Sequence, residues 1–553
     1  MASGLLDKAN IILTPTGYKA GTMYNVAPIE QPYEDFVFSR ASVASRVNSS
    51  GLVEMVGRTL GSNLVQNGDF SEIGSELVTN GDFATDSNWS GTGSNGISIS
   101  DGKLNFNNTP YTANSAQSNV TTVGKTYKVV FTVSDYVKGS VRIFLGGSAT
   151  STASANDTYA FYLTASSNTT IGVQVMGGSG TTLSVDNVSV KEIIDTNNIP
   201  RISYDSNGEN GHILLEPTST NLITYSEDFS SYTKSSIDLN DSLVSSPNGS
   251  NSATGLTNTT TAQCHIRTSF TTSSTGNYTG TIYIKRQDFD YIYVELGNAY
   301  ARFDILNGTK GASGQFGTGW TYVNHDIETL SNGWFRISIT ANNTITGTYN
   351  FRPYQPTSTF SNYDSGSLGT SFIWGCQVEN LSYATSYIPT LTGSTETRAT
   401  ETATGAGSAE LINSTEGVLY AEIAALADDL TSRYISLNQN TSERVVIRYN
   451  TVSNQIQAFS TVGGSTQSNI TYTLPNPTSF IKAAFKYKVN DFALWINGVE
   501  VGTDTSGSVS TFNTLDKLSF DQGNGAFPFY GKCKALAVFN EALSDDELNN
   551  LTG

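Results

Sequence analysis

The sequence predicts an all-β protein: serial antiparallel β-sandwich domains behind an extended N-terminal arm. Three observations carry this. Charged residues make up 14% of the 553-residue chain, with 37% hydrophobic and 11% aromatic residues. Charge is thus well below the usual level of about a quarter, and Gly, Ser, Thr and Asn fill the gap. That mixture is too aromatic for disorder and suits strands joined by many turns. Apolar residues also recur with a period of two, as in Tyr127, Val129, Phe131 and Val133, which places them on one face of a strand. Finally, Asn-Gly and other turn dipeptides punctuate these short runs throughout.

The formal net charge of −18 argues against broad nucleic-acid binding, which needs a basic surface to displace counterions. It argues equally against docking on anionic lipid. The three cysteines, Cys264, Cys376 and Cys533, are too few and too far apart for a disulfide framework or a zinc site, and read as buried small hydrophobes. The N-terminus lacks the basic start and apolar core of a secretory signal. No run reaches the ~18 apolar residues of a membrane helix. An outward-facing β-rich protein without signal or disulfides fits a particle protein folded in the cytoplasm and released by lysis.

Residues 1–60 hold candidate strands at Asn10–Leu13 and Phe36–Phe38, interrupted by Pro15, Gly17, Pro28 and Pro32. We expect an arm that packs on a partner subunit or supplies a strand to the next domain. Residues 61–195 form a block set into the chain. It opens with a duplicated phrase, NLVQNGDF at Asn63–Phe70 and ELVTNGDF at Glu76–Phe83, and closes with LSVDNVSVKEI at Leu183–Ile193. Its alternating runs, Val141–Ile143–Leu145 and Ile171–Val173–Val175 among them, predict a β-sandwich. Residues 196–390 form a second sandwich, opened by IPRISYDSNGENGHILLEPTSTNLITYSEDF at Ile199–Phe229 and closed by GCQVENLSYATSYIPT at Gly375–Thr390. Residues 391–407 contain no large apolar side chain after Leu391 and predict a linker. Residues 408–553 form a third sandwich. Within it Asn497-Gly498 predicts a two-residue hairpin, and Ser544 with Glu547 predicts a capping box that starts a short helix.

Three sets of phrases carry resemblances. NGDF, GKTYKVVFTVSDY and DNVSV in the inserted block resemble galactose-binding-like jelly rolls of carbohydrate-binding modules. FSRASVASRVNSSGLVEMV at Phe38–Val56, with the opening and closing phrases of the second sandwich, resembles a concanavalin-like module that recurs in bacteriophage tail-fibre and other virion-surface proteins. The chain departs from that module's usual phrase by carrying Ser231-Tyr232 where a Trp commonly follows SEDF, which puts an aromatic site there in doubt. EGVLYAEI, NDFALWINGV and FNEALSDDEL in the last domain resemble laminin-G-like and pentraxin-like lectin folds.

No catalytic constellation is visible. The histidines His212, His265 and His325 lie apart, and no GxSxG motif occurs, so nothing marks a nucleophile with its base. The acids Glu416 and Glu422, and Asp288, Asp290 and Glu295, lack the strand spacing of a paired-carboxylate glycosidase. Sugar binding needs aromatic faces with amide or carboxylate neighbours; the candidates are Trp89, Tyr111 and Tyr136 in the inserted block, and Trp495, which points away from its sheet's main core. The resemblance to carbohydrate-binding jelly rolls implies a structural calcium, with Asp69 or Asp82 and Asp186 as the places to look. Together the resemblances imply a non-enzymatic virion appendage, a tail or head fibre. Its N-terminal arm would contact other virion proteins, and its lectin-like domains, carried on a homotrimer, would meet a host-surface glycan. The competing readings are a capsid decoration protein, a polysaccharide depolymerase and a secreted adhesin.

Overall fold

The computed structural model describes residues 5–26, 35–60, 76–178, 180–195, 197–241, 244–391 and 393–553. The chain is almost entirely β, in multiple antiparallel sheets. It divides into two compact units, one made of Met1–Val56 with Asn197–Gly553, the other of Gly57–Thr196.

In the Gly57–Thr196 unit, a four-stranded sheet runs Asn114–Gln117, Ile171–Val175, Val141–Leu145, Ser148–Ala149. The other sheet runs Asp157–Thr164, Thr126–Lys138, Thr181–Asp195, Lys103–Thr109, Ile97–Ser100. The period-two residues do what their spacing requires: Tyr127, Val129, Phe131 and Val133 meet Val141, Ile143, Leu145, Ile171 and Val173 in one core. The first copy of the duplicated phrase, Asn63–Phe70, lies outside the described residues.

The larger unit holds two sandwiches. In the middle one, a sheet ordered Ile237–Asp241, Thr254–Asn258, Thr370–Glu379, Gly276–Lys285, Trp334–Asn343, Trp320–Thr329 packs on a second sheet. That second sheet contains His265–Thr272, Gly347–Tyr354, Tyr291–Leu296 and Ala299–Asp304. Ile282, Ile284, Ile292, Val294, Phe351 and Ile373 fill the space between them. In the C-terminal sandwich, the five-stranded sheet runs Ser465–Thr473, Gln455–Val462, Glu443–Tyr449, Arg433–Asn440, Lys517–Ser519. It faces an eight-stranded sheet that includes Gly531–Phe539, Glu416–Ala425, Ile481–Lys488, Phe492–Ile496 and Val499–Asp504. The Asn497-Gly498 hairpin forms as expected. Both residues have positive φ, 48° and 80°, the backbone such a turn needs, and Ile496 pairs with Val499 across it.

Three boundaries differ from the sequence reading. Ala9–Leu13 is no free arm: it pairs with Leu536–Phe539 at the edge of the eight-stranded sheet, and Ile11, Leu13, Phe36 and Phe38 enter the C-terminal core. His212–Leu215, expected to open the middle sandwich, pairs instead with Gly531–Cys533. The expected linker 391–407 is built into the fold, with Glu396–Arg398 pairing with Ser219–Asn221 and Thr402–Thr404 with Val37–Ser39. Its lack of apolar side chains misled because its anchors are charged.

Those anchors belong to a buried ionic lattice. Glu401 accepts from Arg40 Nη1 at 2.6 Å and from Arg201 Nε at 2.8 Å, and also pairs with Arg201 Nη2. Arg201 and Arg398 both reach Glu216 at 2.9 Å. The Glu216 backbone N–H donates to Glu401 at 2.8 Å, and Ser386 donates to Glu216 through both its backbone N–H and its hydroxyl. A third carboxylate, Glu379, accepts from the Thr385 N–H at 3.0 Å and from Ser219 Oγ at 2.6 Å, while Thr385 Oγ1 accepts from Arg398. All five paired ionic side chains are at most 4% exposed. Three arginines against three glutamates leave no net buried charge, the condition under which such a cluster survives desolvation.

Arg201→Met is expected to destabilise the larger unit by about 3–5 kcal/mol, because Glu216 and Glu401 lose a buried counter-charge; chemical denaturation checks this. Burial alone would raise the Glu216 carboxyl, but Arg398 and Arg201 outweigh it and hold it at about 2, against 4.5 when free. Below pH 4.5 the unfolded chain takes up this proton before the fold does. The contribution is therefore complete above pH 4.5 and is lost as pH falls towards 2. Thermal melts across that window should show a midpoint that drops with acidification, and a smaller drop in Glu216→Gln.

Candidate functional site

In the Gly57–Thr196 unit the expected aromatic platforms separate into different roles. Trp89 is 5% exposed. Its ring packs on Phe83 at 5.2 Å and its Nε1–H donates to the Asn80 carbonyl at 3.0 Å. It is a core residue, and the reading of it as a sugar contact is corrected. Tyr111 is exposed, and Tyr136 lies half-buried against the core. Of the carboxylates considered for calcium, Asp69 lies outside the described residues. Asp82 accepts from the Ala84 N–H and Asp186 from the Asn187 N–H, each within its own turn. The acidic corner beside Asp186 already holds a cation, since Lys103 bonds Asp135 at 2.8 Å and is also influenced by Asp186 and Asp101. Among the described residues no group of three or more His, Cys, Asp or Glu converges on a metal position.

Trp495 does point away from the main core, as its alternation with Leu494 and Ile496 requires. That outer face is covered, however. The helix Asp545–Thr552, started by the Ser544–Glu547 capping box, sets Leu548 and Leu551 in one cluster with Trp495, Tyr420, Ala484 and Ala537. Trp495 is 8% exposed, so its role as a ligand platform is corrected to that of an anchor for the helix.

The groups weighed for catalysis are dispersed and engaged. Burial lowers His212 to about 4, and its Nδ1 lies 2.9 Å from the Asn210 carbonyl. Burial, with Arg352 and Arg267 beside it, also lowers His265 to about 4. His325 contacts the Tyr322 hydroxyl at 2.6 Å. Asp290 pairs with Arg286, Glu295 with Arg352 and Glu416 with Lys488. Asp288 accepts from the Thr370 N–H, and Glu422 lies 3.9 Å from Lys534. The three cysteines are buried and free, and burial pushes the Cys376 thiol up to about 12.

What the sequence reading missed is a pair of aromatic–arginine faces, one on each sandwich of the larger unit. On the middle sandwich Arg302 lies opposite Tyr293 in the strand pairing. Its guanidinium sits 5.5 Å from the ring of Tyr293, 6.0 Å from Tyr300 and 4.9 Å from Tyr363. Tyr293 donates to Glu295 at 2.8 Å, and Glu295 pairs with Arg352 at 2.9 Å. Tyr363 is exposed.

On the C-terminal sandwich the face is built from Tyr434, Arg444, Val446, Arg448, Gln457 and Phe459. Arg444, Val446 and Arg448 alternate along Glu443–Tyr449 and so share one side of the strand. Tyr434 lies opposite Arg448 and Phe459 opposite Val446 on the flanking strands. Arg444 lies 5.9 Å from the Tyr434 ring and 5.1 Å from Phe459; Arg448 lies 4.8 Å and 5.3 Å from the same two. Arg448 is oriented by Gln457 Oε1 at 2.5 Å and by the Tyr434 hydroxyl. Gln457 in turn donates to Asn469 at 2.5 Å. Such cation–π stacking fixes a guanidinium without neutralising it. The rings beneath are buried, with Tyr434 5%, Phe459 7% and Tyr293 1% exposed, so each face presents guanidinium edges with an exposed ring, Tyr363 or Phe527, beside them.

No family model matches this chain, and no curated protein matches it. Among solved structures, one described as NanB plus Optactamide is 15% identical, spans 27% of this chain and 28% of that one, and has a TM-score of 0.21. The N-terminal CBM22-1-CBM22-2 tandem domain from Paenibacillus barcinonensis Xyn10C is 10% identical, spans 56% of this chain and 99% of that one, with a TM-score of 0.21.

Trp495→Ala is expected to lower stability by about 3–5 kcal/mol, the usual cost of emptying a buried Trp site. The last helix should loosen first, seen as faster amide exchange across Asp545–Thr552.

Proposed function

We propose that this chain is a structural appendage protein of a bacteriophage virion, a tail or head fibre, whose sandwiches attach the particle to a host-surface glycan. The observation that carries the glycan part is the pair of aromatic–arginine faces, where guanidinium groups held over buried rings lie beside an exposed ring, Tyr363 on one and Phe527 on the other. The virion part rests on the phrase resemblance. The residues of that phrase have a physical meaning in the fold: Arg40 of FSRAS, Arg201 of IPRIS, Glu216 of LLEPTSTNL and Ser386 of ATSYIPT all meet in the buried lattice.

On this reading the protein is not an enzyme, resides on the virion surface and contacts other virion proteins. The N-terminal segment would supply those contacts, with Ala9–Leu13 already paired on one edge to Leu536–Phe539. A homotrimer presenting several faces would convert weak contacts into avidity.

Immunogold labelling of purified particles with antibody to residues 408–553 tests the reading. Label at a tail tip or at fibres is the expected result. Label spread evenly over capsids would favour decoration, and particles without label would overturn the virion assignment.

A further inference from the structure

The face on the C-terminal sandwich carries more positive charge than its surroundings explain. The chain has 48 acidic against 30 basic residues, yet Arg444 and Arg448 lie side by side with no ion pair to any described carboxylate. Arg444 spends Nη1 on Gln522, at 3.2 Å to its carbonyl and 3.3 Å to its side chain, and its buried Nε has no partner. Arg448 uses Nε and Nη1 on Gln457 and Tyr434. No described residue accepts a hydrogen bond from the Nη2 of either. Two like charges stacked on the same two rings repel each other. Burial and the presence of Arg448 both pull the Arg444 pKa down, so an anion placed between them would relieve a real cost.

A second feature points to the same place. Phe527 is 51% exposed and sits at a φ of 50°, a conformation that a non-glycine residue rarely adopts. The loop that imposes it is braced: the Asp521 carboxylate accepts from the Gly523 and Gly525 N–H groups, and the Phe527 carbonyl accepts from the Tyr434 N–H at 3.3 Å. The ring lies 5.6 Å from that of Tyr434, at the border of the arginine pair. A guanidinium fork matches a carboxylate in plane and spacing, and an exposed ring beside it suits the apolar face of a pyranose.

Building on the glycan reading above, we propose that this face selects acidic sugars, with the carboxylate of a uronic or nonulosonic acid held between Arg444 and Arg448 and the sugar ring against Phe527. The face on the middle sandwich carries a carboxylate of its own, Glu295, which accepts from Tyr293 and pairs with Arg352.

The test is calorimetric titration of the full chain with tetrasaccharides containing glucuronate, galacturonate or N-acetylneuraminate, and with the same compounds after reduction of the carboxyl to an alcohol. At least one acidic compound should bind, at least about tenfold more tightly than its reduced form, and should weaken as salt is added. Arg444→Gln and Arg448→Gln should each cost about tenfold, with Arg448→Lys retaining part of the affinity. Phe527→Ala alters an exposed residue and should weaken binding without lowering the melting temperature. Arg142→Gln in the other unit, whose guanidinium is held by Gln174, should change nothing. Equal binding of acidic and reduced forms, or binding untouched by the arginine and Phe527 variants, would overturn the proposal while leaving glycan attachment standing. Failure of every acidic and neutral saccharide to bind would overturn both.

Discussion

The larger unit depends on a constraint that is electrostatic before it is hydrophobic. Arg40, Arg201, Glu216, Arg398 and Glu401 come from four stretches of the sequence and meet out of contact with water. Each is intolerable there alone, since a single buried charge costs several kcal/mol. Arg40 must therefore follow the strand Phe36–Ser39 into the same volume as Glu401, and Arg398 must approach Glu216 as its strand pairs with Ser219–Asn221. The lattice specifies where the ends of the two sandwiches go, while the apolar cores supply most of the favourable free energy. It also explains how a separate compact unit, Gly57–Thr196, can interrupt the chain: Arg40 and Arg201 flank it in sequence and share one carboxylate.

Arginine is used in two opposite ways. In the lattice it is buried and matched with carboxylates. On the faces of the sheets it is stacked on rings and, at Arg444 and Arg448, left without a described counter-ion. Ring faces hold a guanidinium in place while leaving its charge and part of its hydrogen-bonding capacity for something else. A chain with a formal charge of −18 has abundant acid, yet no described carboxylate pairs with either group.

Much of the architecture was legible because it is local. Period-two alternation identified strands such as Thr126–Lys138, Asn497-Gly498 gave the hairpin, and Ser544 with Glu547 gave the helix start. What could not be read depends on partners distant in sequence. Trp495 was correctly seen to leave the main core, but nothing near it in sequence reveals that Leu548 and Leu551 return to cover it. Trp89 looked like a loop aromatic because its neighbours are polar, while the ring that receives it, Phe83, precedes it across a turn. The 391–407 stretch looked like a linker because its anchoring side chains are Arg398 and Glu401, which read as solvated until Arg40, Arg201 and Glu216 are placed beside them. The arginine faces were hidden for the same reason: an Arg on a strand looks like an ordinary exposed residue until the cross-strand Tyr434 and Phe459 are known.

The lattice behaves as one cooperative element, and native-state hydrogen exchange is the measurement that reads this out. Three amides report on it from within: the Glu216 N–H bonded to Glu401, the Ser386 N–H bonded to Glu216 and the Thr385 N–H bonded to Glu379. If the buried charges stand or fall together, these amides exchange at one common rate, among the slowest in the chain, and only with unfolding of the whole larger unit. Early exchange of any one of them while the other two stay protected would contradict the account.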